Sequence, residues 1–410
     1  MNAKPFALRN LLVLLRKWMT EMSDAGRRMT AGNGQLIHPG SADWHDAQKY
    51  FQGILEERLL QQSLVEHSAI KDAPYDHIDA SLQQMCDEWC GQIKKETAFY
   101  NRNNILRTTA YRKVYEESPE LHWALLAHLV SRNGGYNMTD LRGQVGNMTL
   151  ANQEQDTLFG FLEQCNYLIF QDAYPQLRLY QLGKRYGSAW LPLLRSFHAS
   201  IFMQAAWNMF MEFGHSPMLT IAQIINEQSY IEKRVIQDPD MQQQVFSAPL
   251  FSMQELFHLT SVVFPALDHD GEINTYFGMF MDDFLSLKQR IRAGKVLYNI
   301  LFQGSAYEPK LELLQFAQKV KHTGSRADYV PALFSKRSDD RARFFSPELQ
   351  TVWPNQSHPS IVATDWCTKV DVMRELSMMH ILPQKAGDIT SAYLRKLEEI
   401  RTLAQFLPFS

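Results

Sequence analysis

The sequence predicts an all-α protein, a multi-helix globular bundle. Three observations carry that reading. Apolar residues recur at steps of three and four along most of the 410-residue chain. Neither alternating strand patterns nor Asn-Gly hairpins are evident. The composition, 45% hydrophobic and 12% aromatic, supplies a large buried core for one domain or two.

The first basic and apolar stretch runs from Lys4 to Arg28. It sets Lys4, Arg9, Arg16, Lys17, Arg27 and Arg28 among Leu8, Leu11, Leu12, Leu14, Leu15, Trp18 and Met22. The unbroken run Leu11–Leu15 is too short to span a bilayer or to form a signal-peptide core. Residues 4–28 therefore read as a helix docked on the protein itself or as a weak membrane-surface contact. The location expected is cytoplasmic, peripheral to the membrane if that contact is made. Four dispersed cysteines, Cys86, Cys90, Cys165 and Cys367, read as free thiols in a reducing compartment. A formal net charge of −3 argues against a nucleic-acid partner.

Helices are expected near 42–68, 78–98, 102–116, 119–132, 138–146, 152–170, 199–213, 218–236, 251–263, 272–303 and 308–320. A last helix is capped at Asp388 and presents Tyr393, Leu397, Ile400 and Ala404 on one face, with Arg395 and Glu399 paired on the other. Residues 334–360, with Pro347, Pro354 and Pro359, read as a surface loop.

Several segments are long and unusual: HWALLAHLVSRNGGYNMTDLRG at 122–143, LIFQDAYPQLRLY at 168–180, LTIAQIINEQSYIEKRVIQ at 219–237 and HTGSRADYVPALF at 322–334. Together they resemble an uncharacterised all-helical family of spore-forming Gram-positive bacteria, a domain of unknown function. The resemblance covers residues 101–366 and implies no reaction, cofactor or catalytic residue. It divides the chain into an N-terminal helical segment (1–100), a core domain (101–368) and a C-terminal helical segment (369–410), or joins all three in one domain.

Candidate sites follow from polar residues set in apolar helices. His122 and His128 are roughly 120° apart around a helix at about 100° per residue, so they do not share a face. Arg132-Asn133-Gly134-Gly135 reads as a helix end, with Arg132 and Asp140 paired or contacting a substrate. Gln204, Asn208, Glu212 and His215 form one polar stripe. Thr220, Gln223, Asn226, Glu227, Tyr230 and Arg234 form another, on the helix after Pro217. Facing each other, the stripes would enclose a polar pocket containing Glu212, His215, Glu227 and Arg234; Glu227, His128 and Glu212 are the candidate acids or bases. Facing water, the stripes would be solvated surfaces.

Glu212-x-x-His215 and Glu255-x-x-His258 have the spacing of di-iron carboxylate bundles, with Glu163 and Glu227 or Glu232 available as the further glutamates that class needs. Composition alone supplies such a motif roughly once in a chain of this histidine and glutamate content, and Gly214 and Pro217 interrupt the first one. No metal or other cofactor is expected. Asp268–Glu272 lacks the spacing of a calcium loop and reads as a polar inter-helix turn. Lys319–Arg343 carries seven cations against three carboxylates. Within it His322, Ser325 and Arg326 suit a phosphate or carboxylate. Two function classes follow: a helical scaffold or adaptor with unknown partners, or an enzyme or binder of a small anionic molecule. No complete catalytic constellation appears, which favours the first.

Overall fold

The computed structural model describes residues 42–67, 80–184, 187–243, 261–281, 283–303, 307–340, 342–359, 364–368, 376–380 and 387–405. Residues 4–28 lie outside these, as do Glu255 and His258. Helix predominates, at 68% against 8% strand, so the all-α expectation holds only approximately.

Helices α1 (Ala42–His67) and α2 (Ala80–Tyr100) precede α3 (Asn104–Glu117), which Asn103 caps by accepting the Leu106 N–H at 2.9 Å. Helix α4 (His122–Leu141) is the central element, with nearly every residue buried. It does not stop at Gly134-Gly135. Gly135 serves packing, since a Cβ there would lie 2.7 Å from a Leu349 methyl. After the short α5 (Gln144–Thr149), α6 (Asn152–Gly183) outruns its expected end at 170. Pro175 sits inside it, where Phe170, Tyr174 and Leu177 are buried; tertiary packing offsets the missing N–H bond. A 3₁₀ segment, Gly187–Phe197, leads to α7 (Ile201–Phe213), capped by Ser200. Gly214, at φ +64°, ends α7 in the left-handed conformation, and α8 (Ser216–Ile231) follows, with Pro217 in its first turn.

Parts of two expected helices are corrected to strands. Strands β1 (Ser261–Leu267) and β2 (Ile273–Phe280) form an antiparallel hairpin that takes the end of the stretch read as helix 251–263, of which 251–260 lie outside the described residues, and the start of the stretch read as helix 272–303. Asp268–Glu272 is its turn, held by Asp268 Oδ1 accepting the Asp270 and Glu272 N–H groups. β1 docks on α4 through Asn133, which donates to the Ser261 carbonyl at 3.2 Å and accepts the Val263 N–H at 2.9 Å. Helix α9 (Leu287–Leu301), the two-residue strands β3 (Phe302–Gln303) and β4 (Glu308–Pro309), and α10 (Leu311–Lys319) come next.

The stretch from 334 is no surface loop. It contains the parallel pair β5 (Phe334–Ser335) and β6 (Phe344–Phe345), and it buries Phe334, Phe344, Leu349 and Trp353. Helix α11 (Thr390–Gln405) buries Tyr393, Leu397 and Ile400 as expected, with Arg395 3.8 Å from Glu399. A single hydrophobic cluster includes Phe51 of α1, Trp207 of α7 and Tyr393 of α11. Among the described residues, no helix is long and apolar enough to cross a membrane.

Candidate functional site

The polar stripe of α8 faces α6, not α7. Asp172 of α6 accepts hydrogen bonds from the Asn226 side chain at 2.7 Å and the Gln176 side chain at 3.1 Å. Asn226 in turn accepts from the Ser200 hydroxyl at 2.6 Å and the Trp366 indole at 2.8 Å, and Trp207 donates to Gln176 at 2.9 Å. These donors are all neutral. Burial therefore pushes the Asp172 carboxyl up to about 7, against the lowering effects of its Asn226 bond and of Arg234. Glu227, half-buried beside Asn226, accepts from the Trp123 indole at 3.0 Å and from Gln228 at 3.2 Å. Burial pushes it up to about 8, and the nearby Asp172 raises it further. Burial also raises Asp365, whose oxygens accept the Ile201 and Cys367 N–H groups. Two carboxyl groups raised toward neutrality thus lie beside α8, Asp172 of α6 across from Asn226 and Glu227 against Trp123 of α4. Such groups can donate a hydrogen bond or a proton.

The stripe of α7 goes elsewhere. Gln204 is buried, accepting from Arg58 at 3.0 Å and donating to the Ala199 carbonyl, whereas Glu212 is exposed. Glu212 and His215 line a cleft of about 770 Å³ where the α3–α4 connection, the α7–α8 turn and the β3–β4 loop converge. His122 also faces it. The His122 ring stacks on Phe302, its Nδ1 lies 3.0 Å from the Tyr298 hydroxyl, and burial lowers it to about 4. Tyr307, on the β3–β4 side, has φ +50°. Among the described residues no three His, Cys, Asp or Glu side chains are placed to hold a metal.

The His322, Ser325 and Arg326 side chains of the HTGSR loop meet partners within the protein. Arg326, 1% exposed, forms an ion pair with Asp140 and donates to the Tyr329 hydroxyl, to the Tyr393 hydroxyl at 2.6 Å and to Asn137 at 3.3 Å. Burial alone would lower its pKa, but the Asp140 carboxylate holds it well above the ordinary guanidinium value. Ser325 caps the turn Arg326–Asp328, with its hydroxyl accepting the Ala327 N–H and Asp328 answering the Ser325 N–H at 2.8 Å.

The expected Arg132–Asp140 pair is therefore replaced by Arg326–Asp140. Arg132 instead donates to the Phe316, Val320 and Lys321 carbonyls and to the Tyr136 hydroxyl, and lies 4.0 Å over the Phe316 ring. It closes the C-terminal end of α10, where carbonyls lack helical partners. His128 and His322 do come together, with ring centroids 6.1 Å apart. His128 Nδ1 lies 2.8 Å from the Thr108 carbonyl and His322 Nε2 lies 2.9 Å from the Thr109 hydroxyl. Burial lowers them to about 3 and about 4 respectively, so both are neutral.

A further buried centre is built on Glu163, which the sequence offered only as an available metal ligand. Glu163 of α6 accepts both ends of the Arg107 guanidinium, the Trp353 indole at 2.6 Å and His358 Nε2 at 2.6 Å. Burial would raise Glu163, but the bonds from His358 and Arg107 hold it below the usual range. The available signals were the isolated charges themselves: Glu163, Asp172 and Arg107 each stand among apolar helical neighbours.

The comparisons with known proteins support the resemblance to an uncharacterised family of Gram-positive bacteria. The family model described as a protein of unknown function (DUF2515) matches residues 99–387. The uncharacterized protein YppC of Bacillus subtilis (strain 168) is 34% identical over 323 residues, 78% of this chain and 96% of that relative. No solved structure matches the chain. With the family model spanning well over half of its length, the chain belongs to the DUF2515 family.

Proposed function

We propose that this protein is a cytoplasmic, non-catalytic helical scaffold or adaptor. One observation carries the reading: the cation best placed by sequence to meet an anionic ligand, Arg326, is buried against Asp140 and two tyrosine hydroxyls. A buried guanidinium with a carboxylate partner fixes segments relative to one another, here α4, the 326–328 turn and α11. The test is native mass spectrometry of the full chain beside its denatured mass, together with Arg326→Ala and Arg132→Ala. The expected result is a bare polypeptide mass and variants that differ only in stability, Arg326→Ala by roughly 3–5 kcal/mol. An extra mass of a small anion that vanishes in Arg326→Ala would overturn the reading.

The α6–α8 seam favours a second reading, a binder of a small anionic molecule. Protonated Asp172 and Glu227 would donate hydrogen bonds to it, with Arg234 supplying charge. Under this reading an extra mass is retained in Arg326→Ala and lost in Asp172→Asn.

A further inference from the structure

Two hollows meet at one exposed ring. Phe213, 38% exposed at the end of α7, lines both the 770 Å³ cleft and an adjoining apolar groove of about 410 Å³ on α1. The groove is walled by Tyr50 and Ile54 and opens over Gly53, whose α-carbon faces free space. The Tyr50 and Phe213 rings meet edge-on at 5.5 Å. The cleft is acidic. Glu212 and Glu308 are exposed and make no ion pair among the described residues. At its rim, Glu120 takes the chain's own Lys184 ammonium at 2.7 Å, with that ammonium 5.8 Å from the Tyr180 ring centroid. Among the described residues that line the two hollows, the carboxylates Asp46, Glu120, Glu212 and Glu308 outnumber the one cation, Lys49, and Lys184 compensates only Glu120.

We propose that this surface docks a basic amphipathic segment of a partner protein. An apolar side chain fills the Tyr50–Ile54–Phe213 groove, and a Lys or Arg one turn away enters the cleft between Glu212 and Glu308. The proposal rests on the adaptor reading and gives that adaptor its partner chemistry. Charge complementarity selects the occupant: an acidic or neutral segment would leave Glu212 and Glu308 uncompensated against it. The aromatic walls suit both the aliphatic stem and the charged head of a basic side chain. Neighbouring apolar and basic residues on one helical face match the two hollows.

The test titrates the full-length protein into a fluorescein-labelled peptide of sequence LKKLLKLLKKLLKL and follows anisotropy. Its counterpart LEELLELLEELLEL is measured alongside. Binding of the basic peptide alone is expected, weakened at least tenfold in the double variant Glu212→Gln with Glu308→Gln and again in Phe213→Ala. Both glutamates are exposed, so the double variant should keep the wild-type urea midpoint. Equal binding of the acidic peptide, wild-type affinity in the double variant, or no binding of either peptide overturns the proposal. Sedimentation velocity separates a rival occupant: a dimer that Phe213→Ala dissociates assigns the surface to a second copy and also overturns it. Failure here leaves the scaffold reading to the Arg326 test, which does not involve this surface.

Discussion

Asp172 shows what one residue contributes when the groups that donate to it are all neutral. Its carboxyl accepts from the Asn226 and Gln176 amides inside an apolar interior, and burial raises it from 3.8 to about 7. A raised folded-state value means that the native protein binds the proton more tightly than the unfolded chain does. The associated stability is fully present below about pH 4 and is lost as pH rises through about 7. The difference corresponds to about 4 kcal/mol. Urea unfolding from pH 4 to pH 8 should therefore show stability declining with pH, and Asp172→Asn should flatten that decline below pH 7. A residual slope should persist toward pH 8, where Glu227 titrates. An unchanged slope in Asp172→Asn would show that the carboxyl is not protonated in the native state. By contrast, Glu163 receives a guanidinium and two ring N–H donors and stays below the usual carboxylate range. Two buried acids on one helix thus shift in opposite directions, because Glu163 has a guanidinium partner to offset its burial and Asp172 has only neutral donors.

At the scale of elements, Asn133 joins a helix to a sheet. Its amide bonds both the Ser261 carbonyl and the Val263 N–H, occupying the edge of β1 that β2 does not cover. Replacing it with Leu leaves both backbone groups buried and unpaired, at a cost of roughly 1–3 kcal/mol for each. Asn133→Leu should speed hydrogen exchange at the Val263 amide far more than at Ile225 in α8; equal acceleration at both would mean global destabilisation instead. This junction also explains why the hairpin was not legible. SVVFPAL is buried on both faces, so it reads as a continuous apolar run, which periodicity cannot separate from a buried helix. The β-branched Val262 and Val263 and the Asp270-Gly271 pair were the signals available. Gly134-Gly135 misled in the opposite direction. It resembles a helix end, but Gly135 is there to admit Leu349, a contact more than two hundred residues away in sequence. The α11 face was legible because its pattern is local: Tyr393, Leu397 and Ile400 recur at helical spacing against one core.

Across the whole molecule, the same limit governs the candidate site. The α8 stripe was visible as a period, and so was its mixture of Gln, Asn, Glu and Arg. Its counterpart was not visible, because nothing in the local pattern says that α8 meets Asp172 rather than Glu212. Pairing of distant charges is likewise absent from any window of sequence: Asp140 finds Arg326, and Arg107 finds Glu163. Asp140 and Glu163 each tie a late segment of the chain to its early helices. Glu163 is the clearest example, since it joins α3 through Arg107 to the 353–358 stretch through Trp353 and His358, with the Tyr167 ring stacked on His358 at 3.8 Å. Glu163→Gln removes the counter-charge while Arg107 stays buried, which should cost roughly 3–5 kcal/mol. His358→Ala leaves the Arg107–Glu163 pair intact and should cost much less. If Glu163 is the clamp for this stretch, limited proteolysis should cut near 354–359 much faster in Glu163→Gln than in wild type, and only modestly faster in His358→Ala. Cleavage at the wild-type rate in Glu163→Gln would mean that the burial of Trp353 and Leu349 alone holds the stretch in place.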